Sequence, residues 1–146
     1  TRQVMGHYPA GWNYAVDNMW THASAEALLP GIRRIADSLP VAPSHMLWMN
    51  WAPPTGRPDM AYSLDDQTYI ALYGVWKDEA DTPTASTWAR DNMAAMSPLS
   101  TGVQLADENL GVRPAPFLAE ANMARLDALR AKHDPAGRFH PYMGRI

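Results

Sequence analysis

Residues 67–76 read QTYIALYGVW, ten positions rich in β-branched and aromatic side chains with neither a charge nor a proline. That composition suits a β-strand. Alternation puts Ile70, Leu72 and Trp76 on one face and Tyr69, Ala71 and Tyr73 on the other. The aliphatic face is expected to pack on helices, leaving the tyrosines on an open side. Downstream, residues 78–96 read as a helix with Ala85, Trp88, Asn92 and Met96 on one side, and Pro83 early enough to be tolerated. Upstream, residues 44–51 (SHMLWMNW) form a second strand, with Trp48 and Asn50 assigned to the open face against Leu47 and Met49. The polar, proline-containing loop between these strands is long for a hairpin and is a candidate functional loop.

Farther out, residues 12–20 (WNYAVDNMW) read as the first strand, adding Asn18 and Trp20 to the open face. Ser24 is placed to cap a helix whose face is Leu28, Ile32, Ile35 and Leu39, with Pro30 shortening or bending it and Pro40 stopping it. The Arg33–Arg34 pair reads as a solvated face of that helix. Residues 100–106 (STGVQLA) are expected to make a fourth strand, 107–116 a loop, and the chain closes with another helix. The order strand-helix-strand-strand-helix-strand-helix predicts an α+β fold. Its specific form would be a ferredoxin-like plait (βαββαβ) with an additional C-terminal helix, an antiparallel sheet carrying helices on one face. All 146 residues fit one domain.

Composition is that of globular protein, 47% hydrophobic and 18% charged. A net charge of −3 without a basic cluster gives no footprint for nucleic acid or an anionic membrane, and no apolar run is long enough to span a bilayer. Zero cysteines exclude disulfides and thiolate chemistry while leaving the compartment open. Five histidines in separate elements show no zinc-ligand spacing. A chain beginning at Thr1 with no initiator Met reads as cut from a longer polypeptide or as a processed product.

The last 26 residues carry the sharpest pattern. Leu126 and Leu129 share a helical face with Leu118 and Ala121; Pro135 disfavours helix at Asp134, and Gly137 lets the chain turn, so the helix should end near His133. The run Arg125, Leu126, Leu129, Arg130, His133, Asp134, Pro135, Phe139 resembles the C-terminus of berberine-bridge-type FAD-linked oxidases of the vanillyl-alcohol oxidase superfamily. Residues 69–78 (YIALYGVWKD) and 97–102 (SPLSTG) look like two further stretches of that family.

The resemblance implies the C-terminal, substrate-domain portion of a flavin-dependent oxidoreductase. FAD would be held by an N-terminal domain of the same polypeptide, or by a separate subunit. Consistently, none of the nine glycines has Gly-x-Gly-x-x-Gly spacing, so the segment alone should be catalytically silent. It would supply one wall of the flavin and substrate pocket, with Trp48 and Asn50 toward the small-molecule substrate. Three departures from the family matter. Its Tyr-x-Asn on the fourth strand is replaced by Gln104-Leu105-Ala106-Asp107, which moves the cofactor contact to Gln104, Asp107 or Asn109. Its catalytic Glu is missing, leaving Tyr73, Asp59 and Tyr69 as bases. Its Asn-Gln-Asn tail is replaced, leaving His140 and Tyr142 as the nearest polar groups. The alternative is a free-standing ferredoxin-like module that binds a small molecule or dimerises through its open sheet face.

Overall fold

The strand predicted over residues 67–76 is present as Thr68–Trp76 (β3) and is buried at every position. In the computed structural model, which describes residue 8 and residues 10–58, 60–107 and 109–140, it lies between Asn13–Thr21 (β1) and His45–Asn50 (β2), antiparallel to both. Three helices complete the chain: Ala25–Asp37 (α1), Thr82–Met96 (α2) and Glu120–His133 (α3). Short 3-10 turns stand at Glu79–Asp81, Ser97–Leu99 and Leu105–Asp107. The protein is therefore a mixed α/β fold built on a three-stranded antiparallel sheet. Among the described residues no helix is long and apolar enough to cross a membrane.

The two faces of β3 go where alternation sends them. Ile70 and Leu72 join Met19 of β1, Leu28 and Ile35 of α1, and Met93 of α2 in the principal core. Each such side chain contributes roughly 1.5–3 kcal/mol by leaving water. Ser24 caps α1, its hydroxyl accepting from Ala27 N at 3.3 Å. The helix runs through Pro30 and ends before Leu39, which is exposed. Arg34, expected to be solvated, instead donates to Asn92 Oδ1 and to Asn92 O, both at 3.0 Å, and so ties α1 to α2. Gly74 permits the close approach of α2 to β3: a Cβ there would stand 2.2 Å from Ala85 O.

The opposite face of β3 is not open. Tyr69 is only 4% exposed and Tyr73 only 6%, covered from within the chain by Tyr8, Trp20, Met49 and Leu64. Trp48 and Asn50 are not on that face either. They pair with Ile70 and Thr68, and directly paired residues share a face, so they lie on the helix side; Met49, opposite Tyr69, takes the tyrosine side. Alternation within β2 is read correctly from the sequence, but its register against β3 is not, and a one-residue slip exchanges the faces.

The fourth strand is the other departure. The chain meets β1 at one bridge, Trp20 with Gly102, where Trp20 N donates to Gly102 O at 2.7 Å and Thr101 N donates to Trp20 O at 2.9 Å. At the next rung the Asn18 side chain takes the place of a backbone partner. Its Oδ1 accepts from Gln104 N at 2.7 Å and its Nδ2 donates to Gln104 O at 2.9 Å. Gln104 Oε1 then accepts from Ala106 N at 2.8 Å, and the chain curls into the 3-10 turn instead of continuing as a strand.

Helix α3 packs through Met123 and Leu126 on a separate small cluster of Val103, Leu110, Phe117 and Leu118. It ends at His133, as predicted from Pro135. The Asp134 carboxylate closes the turn beyond it, accepting from Arg138 N at 2.8 Å and Phe139 N at 2.9 Å, with Gly137 at φ 60°. Arg130 Nη2 reaches back to Phe139 O at 2.9 Å. The Arg-x-x-x-Asp-Pro spacing is thus a closed hydrogen-bonded loop.

Candidate functional site

Three of the residues singled out from the sequence converge. The Tyr69 hydroxyl donates to Asp107 Oδ2 at 2.7 Å, and Tyr73 stands next to Tyr69 on the same face, within the field of the Asp107 carboxylate. The tyrosines come from consecutive same-face positions of β3, and Asp107 is the last residue of the 3-10 turn. Burial, followed by the Asp107 carboxylate, pushes both hydroxyls far above the ordinary tyrosine value of 10.0. Each is a neutral phenol, and neither is equipped to take a proton at ordinary pH. Around them the rings pack closely. His45 stacks on Tyr73 at 4.8 Å with 11° between planes, and Tyr8 meets Tyr73 edge-on at 5.3 Å.

What fixes Asp107 is polar and buried. Asn18 Nδ2 donates to the main-chain oxygen of Asp107 at 2.7 Å, besides its two bonds to Gln104. Beside it, Arg113 Nε donates to Asp17 Oδ2 at 2.7 Å, while Arg113 Nη2 donates to Asn18 O at 2.6 Å. Asp17 is 1% exposed and sits on the helix face of β1, so its charge is stabilised by this forked pair rather than by water.

Asp107 forms part of the wall of a cleft of about 460 Å³. The cleft runs beside the half of β1 that the curling chain has left uncovered, at Tyr14 and Val16, with Ser86 and Arg90 of α2 on one side and Asn109 on the other. Its volume falls in the range of small-molecule sites. Of the sequence candidates, Asp107 and Asn109 line this cleft, and Tyr69 is joined to it through Asp107. Gln104 is adjacent, with its side chain spent on Ala106 N. Trp48 and Asn50 are elsewhere, hydrogen-bonded to each other at the β2 edge at 2.9 Å. His140 is exposed beyond α3. Asp59 and Tyr142 lie outside the described residues.

The loop before β3, expected to be functional, folds against the tyrosine face through Leu64. Its Asp65 accepts from Trp51 Nε1 at 3.0 Å and pairs with Arg57. Asp66 bonds His22 Nδ1 at 2.8 Å. Burial raises the Asp66 pKa, but hydrogen bonds with His22 and from Gln67 N outweigh it, and the net shift is downward.

Sequence reasoning overlooked Asn18 as a clamp and Asp17, Arg113 and Tyr8 altogether, and weighed His45 only as a metal ligand. Only Asp17 left a signal: a carboxylate on the apolar face of a strand requires a partner. Nothing local marks Arg113 as that partner, because the two are far apart in the chain.

No protein-family model matches the chain. It is 26% identical over 136 residues to the FAD-linked oxidoreductase ptmO of Penicillium ochrochloron, covering 92% of this chain and 30% of that protein. The FAD-linked oxidoreductase penO of Penicillium crustosum matches to the same extent, 26% over 136 residues. The FAD-linked oxidoreductase nodO of Hypoxylon pulicicidum is 27% identical over 82 residues, covering 56% of this chain and 18% of that protein. The chain is related to FAD-linked oxidoreductases and spans less than a third of the length of these relatives.

Proposed function

We propose that the chain is the substrate-side segment of a berberine-bridge-type FAD-linked oxidoreductase, forming one wall of its substrate pocket. The sheet order β1-β3-β2, with a single bridge where a fourth strand would run, supports reading the fold as a ferredoxin-like plait whose last strand is reduced. The observation that carries the functional reading is the hydrogen bond from the buried Tyr69 to Asp107 at the wall of the cleft.

The described residues do not build a holder for a whole dinucleotide. The cleft is sized for a small molecule, and the sequence has no glycine-rich phosphate loop. FAD is therefore assigned to polypeptide beyond these residues, and so is its role as hydride acceptor. This chain supplies the proton side of the reaction. Asp107, not either tyrosine, is the base: it is the carboxylate at the cleft wall, and the Tyr69 phenol and the Asn18 clamp hold it in place. Tyr69 is the positioning donor, and Tyr73 packs beside it on the same face. Asn109 and Ser86 offer hydrogen bonds to an alcohol or amine substrate.

The test is turnover of the complete, flavin-loaded gene product. Asp107→Asn is expected to lower kcat by about 10²-fold or more with flavin content unchanged, the size of a general-base contribution. Undiminished turnover, or a complete product that carries no flavin, overturns the proposal.

A further inference from the structure

The two edges of the sheet are treated oppositely. The β1 edge is fenced over its second half, where residues 101–104, the Asn18 side chain and Arg113 cover Asn18 and Trp20. The β2 edge is bare. Trp51 N donates to Gln67 O across the sheet at 2.7 Å, so by alternation Leu47 and Met49 also face β3, and the main-chain groups of Met46, Trp48 and Asn50 point outward. Among the described residues no backbone group pairs with those three on that side. The strand reads HMLWMN, with neither lysine nor proline to discourage pairing, and Leu47 and Trp48 remain 37% and 38% exposed on opposite faces.

We infer that the β2 edge is a strand-acceptor site, filled by a β-strand from polypeptide outside these 146 residues. Two observations select that occupant. The aligned stretch of the longer-matched relatives is 30% of their length, so most of such a protein lies beyond this segment. Exposed apolar side chains on both faces of β2 call for a neighbour that continues both layers, the helix-backed core and the tyrosine face. A strand embedded in a larger folded body does this; a lone peptide does not. The donated strand bonds Met46, Trp48 and Asn50 and places apolar residues at consecutive positions, one toward each face.

Residue-resolved amide exchange tests this, comparing the 146-residue chain with the complete gene product that contains it. The Met46, Trp48 and Asn50 amides are expected to exchange rapidly in the chain alone and at least about 100-fold more slowly in the complete product. Equal exchange in the two overturns the inference. Protection that the isolated chain gains in step with its own concentration also overturns it, because the occupant is then a second copy. The variant Trp48→Pro removes an outward amide without a bond to β3; it should leave the 146-residue chain folded and abolish the added protection at Met46 and Asn50. Protection retained in that variant counts against strand addition. Flavin absorbance of the same sample keeps the outcomes apart: a colourless product with a protected β2 defeats the proposed function but not this inference.

Discussion

Asn18 and Gln104 form a reciprocal pair in which a side-chain amide stands in for a strand: the Asn18 Oδ1 accepts from Gln104 N and its Nδ2 donates to Gln104 O. One side chain thereby ends the β1 ladder and, through its third bond to Asp107 O, sets where the carboxylate sits. Asn18→Ala should cost about 2–3 kcal/mol, because it removes these bonds from a fully buried position. It should also loosen the 104–107 segment. Denaturant unfolding measures the first effect and amide exchange at Gln104 and Ala106 the second; an unchanged midpoint would remove the clamp from the account.

Arg113→Met leaves the Asp17 carboxylate buried without its partner. A loss of about 3–5 kcal/mol is expected. Replacing both residues, Asp17→Leu with Arg113→Met, should recover most of that loss. A double variant no better than Arg113→Met alone would mean that the charge is not the source of the damage.

Tyr69 and Tyr73 have folded pKa values raised above the ordinary 10.0, so keeping them neutral stabilises the fold fully below pH 10. That contribution is lost as pH rises further, because the unfolded chain ionises first. Of the six tyrosines, these two should ionise only together with unfolding when phenolate absorbance is followed. Tyr69→Phe should delete one late-ionising group. Reversible ionisation of all six near pH 10 would contradict the burial argument.

Gly74→Ala drives a Cβ into Ala85 O, a backbone atom that cannot swing aside. The variant is expected to lose about 3 kcal/mol as α2 is pushed from β3. The same substitution at Gly111, where an added Cβ meets nothing within 4 Å, is the control and should be nearly silent.

Hydrogen bonds from Phe139 N and Arg138 N hold Asp134 below the ordinary carboxylate value of 3.8. The turn after α3 should therefore stay closed through neutral pH and open as pH falls through that depressed value. Asp134→Asn should speed exchange at Arg138 and Phe139 at pH 7. Protection surviving in the variant would leave the turn to Pro135 and Gly137 alone.

Local chemistry was legible in the sequence and relations between elements were less so. β3, the face of α2 and the end of α3 at His133 follow from composition, helical spacing and Pro135. The register of β2, and hence the placement of Trp48 and Asn50, depends on how a long loop returns the chain, which no short pattern records. The curled fourth segment was misread because Val103 and Leu105 look like strand residues, while the reason they are not lies eighty positions away in Asn18. Tyr69 and Tyr73 were found as polar groups on one face, but their neutrality arises from burial by residues such as Tyr8 and Leu64, which only the folded chain brings near.

The central position of β3 also dictates an order of assembly. β1 and β2 precede it in the chain yet never pair with each other: Thr21 meets Thr68, and Asn50 also meets Thr68. During synthesis both must wait, with the apolar run at 45–50 uncovered, until the strand that joins them has emerged. Such a topology folds slowly, and its period of greatest aggregation risk is the interval before residue 76 leaves the ribosome.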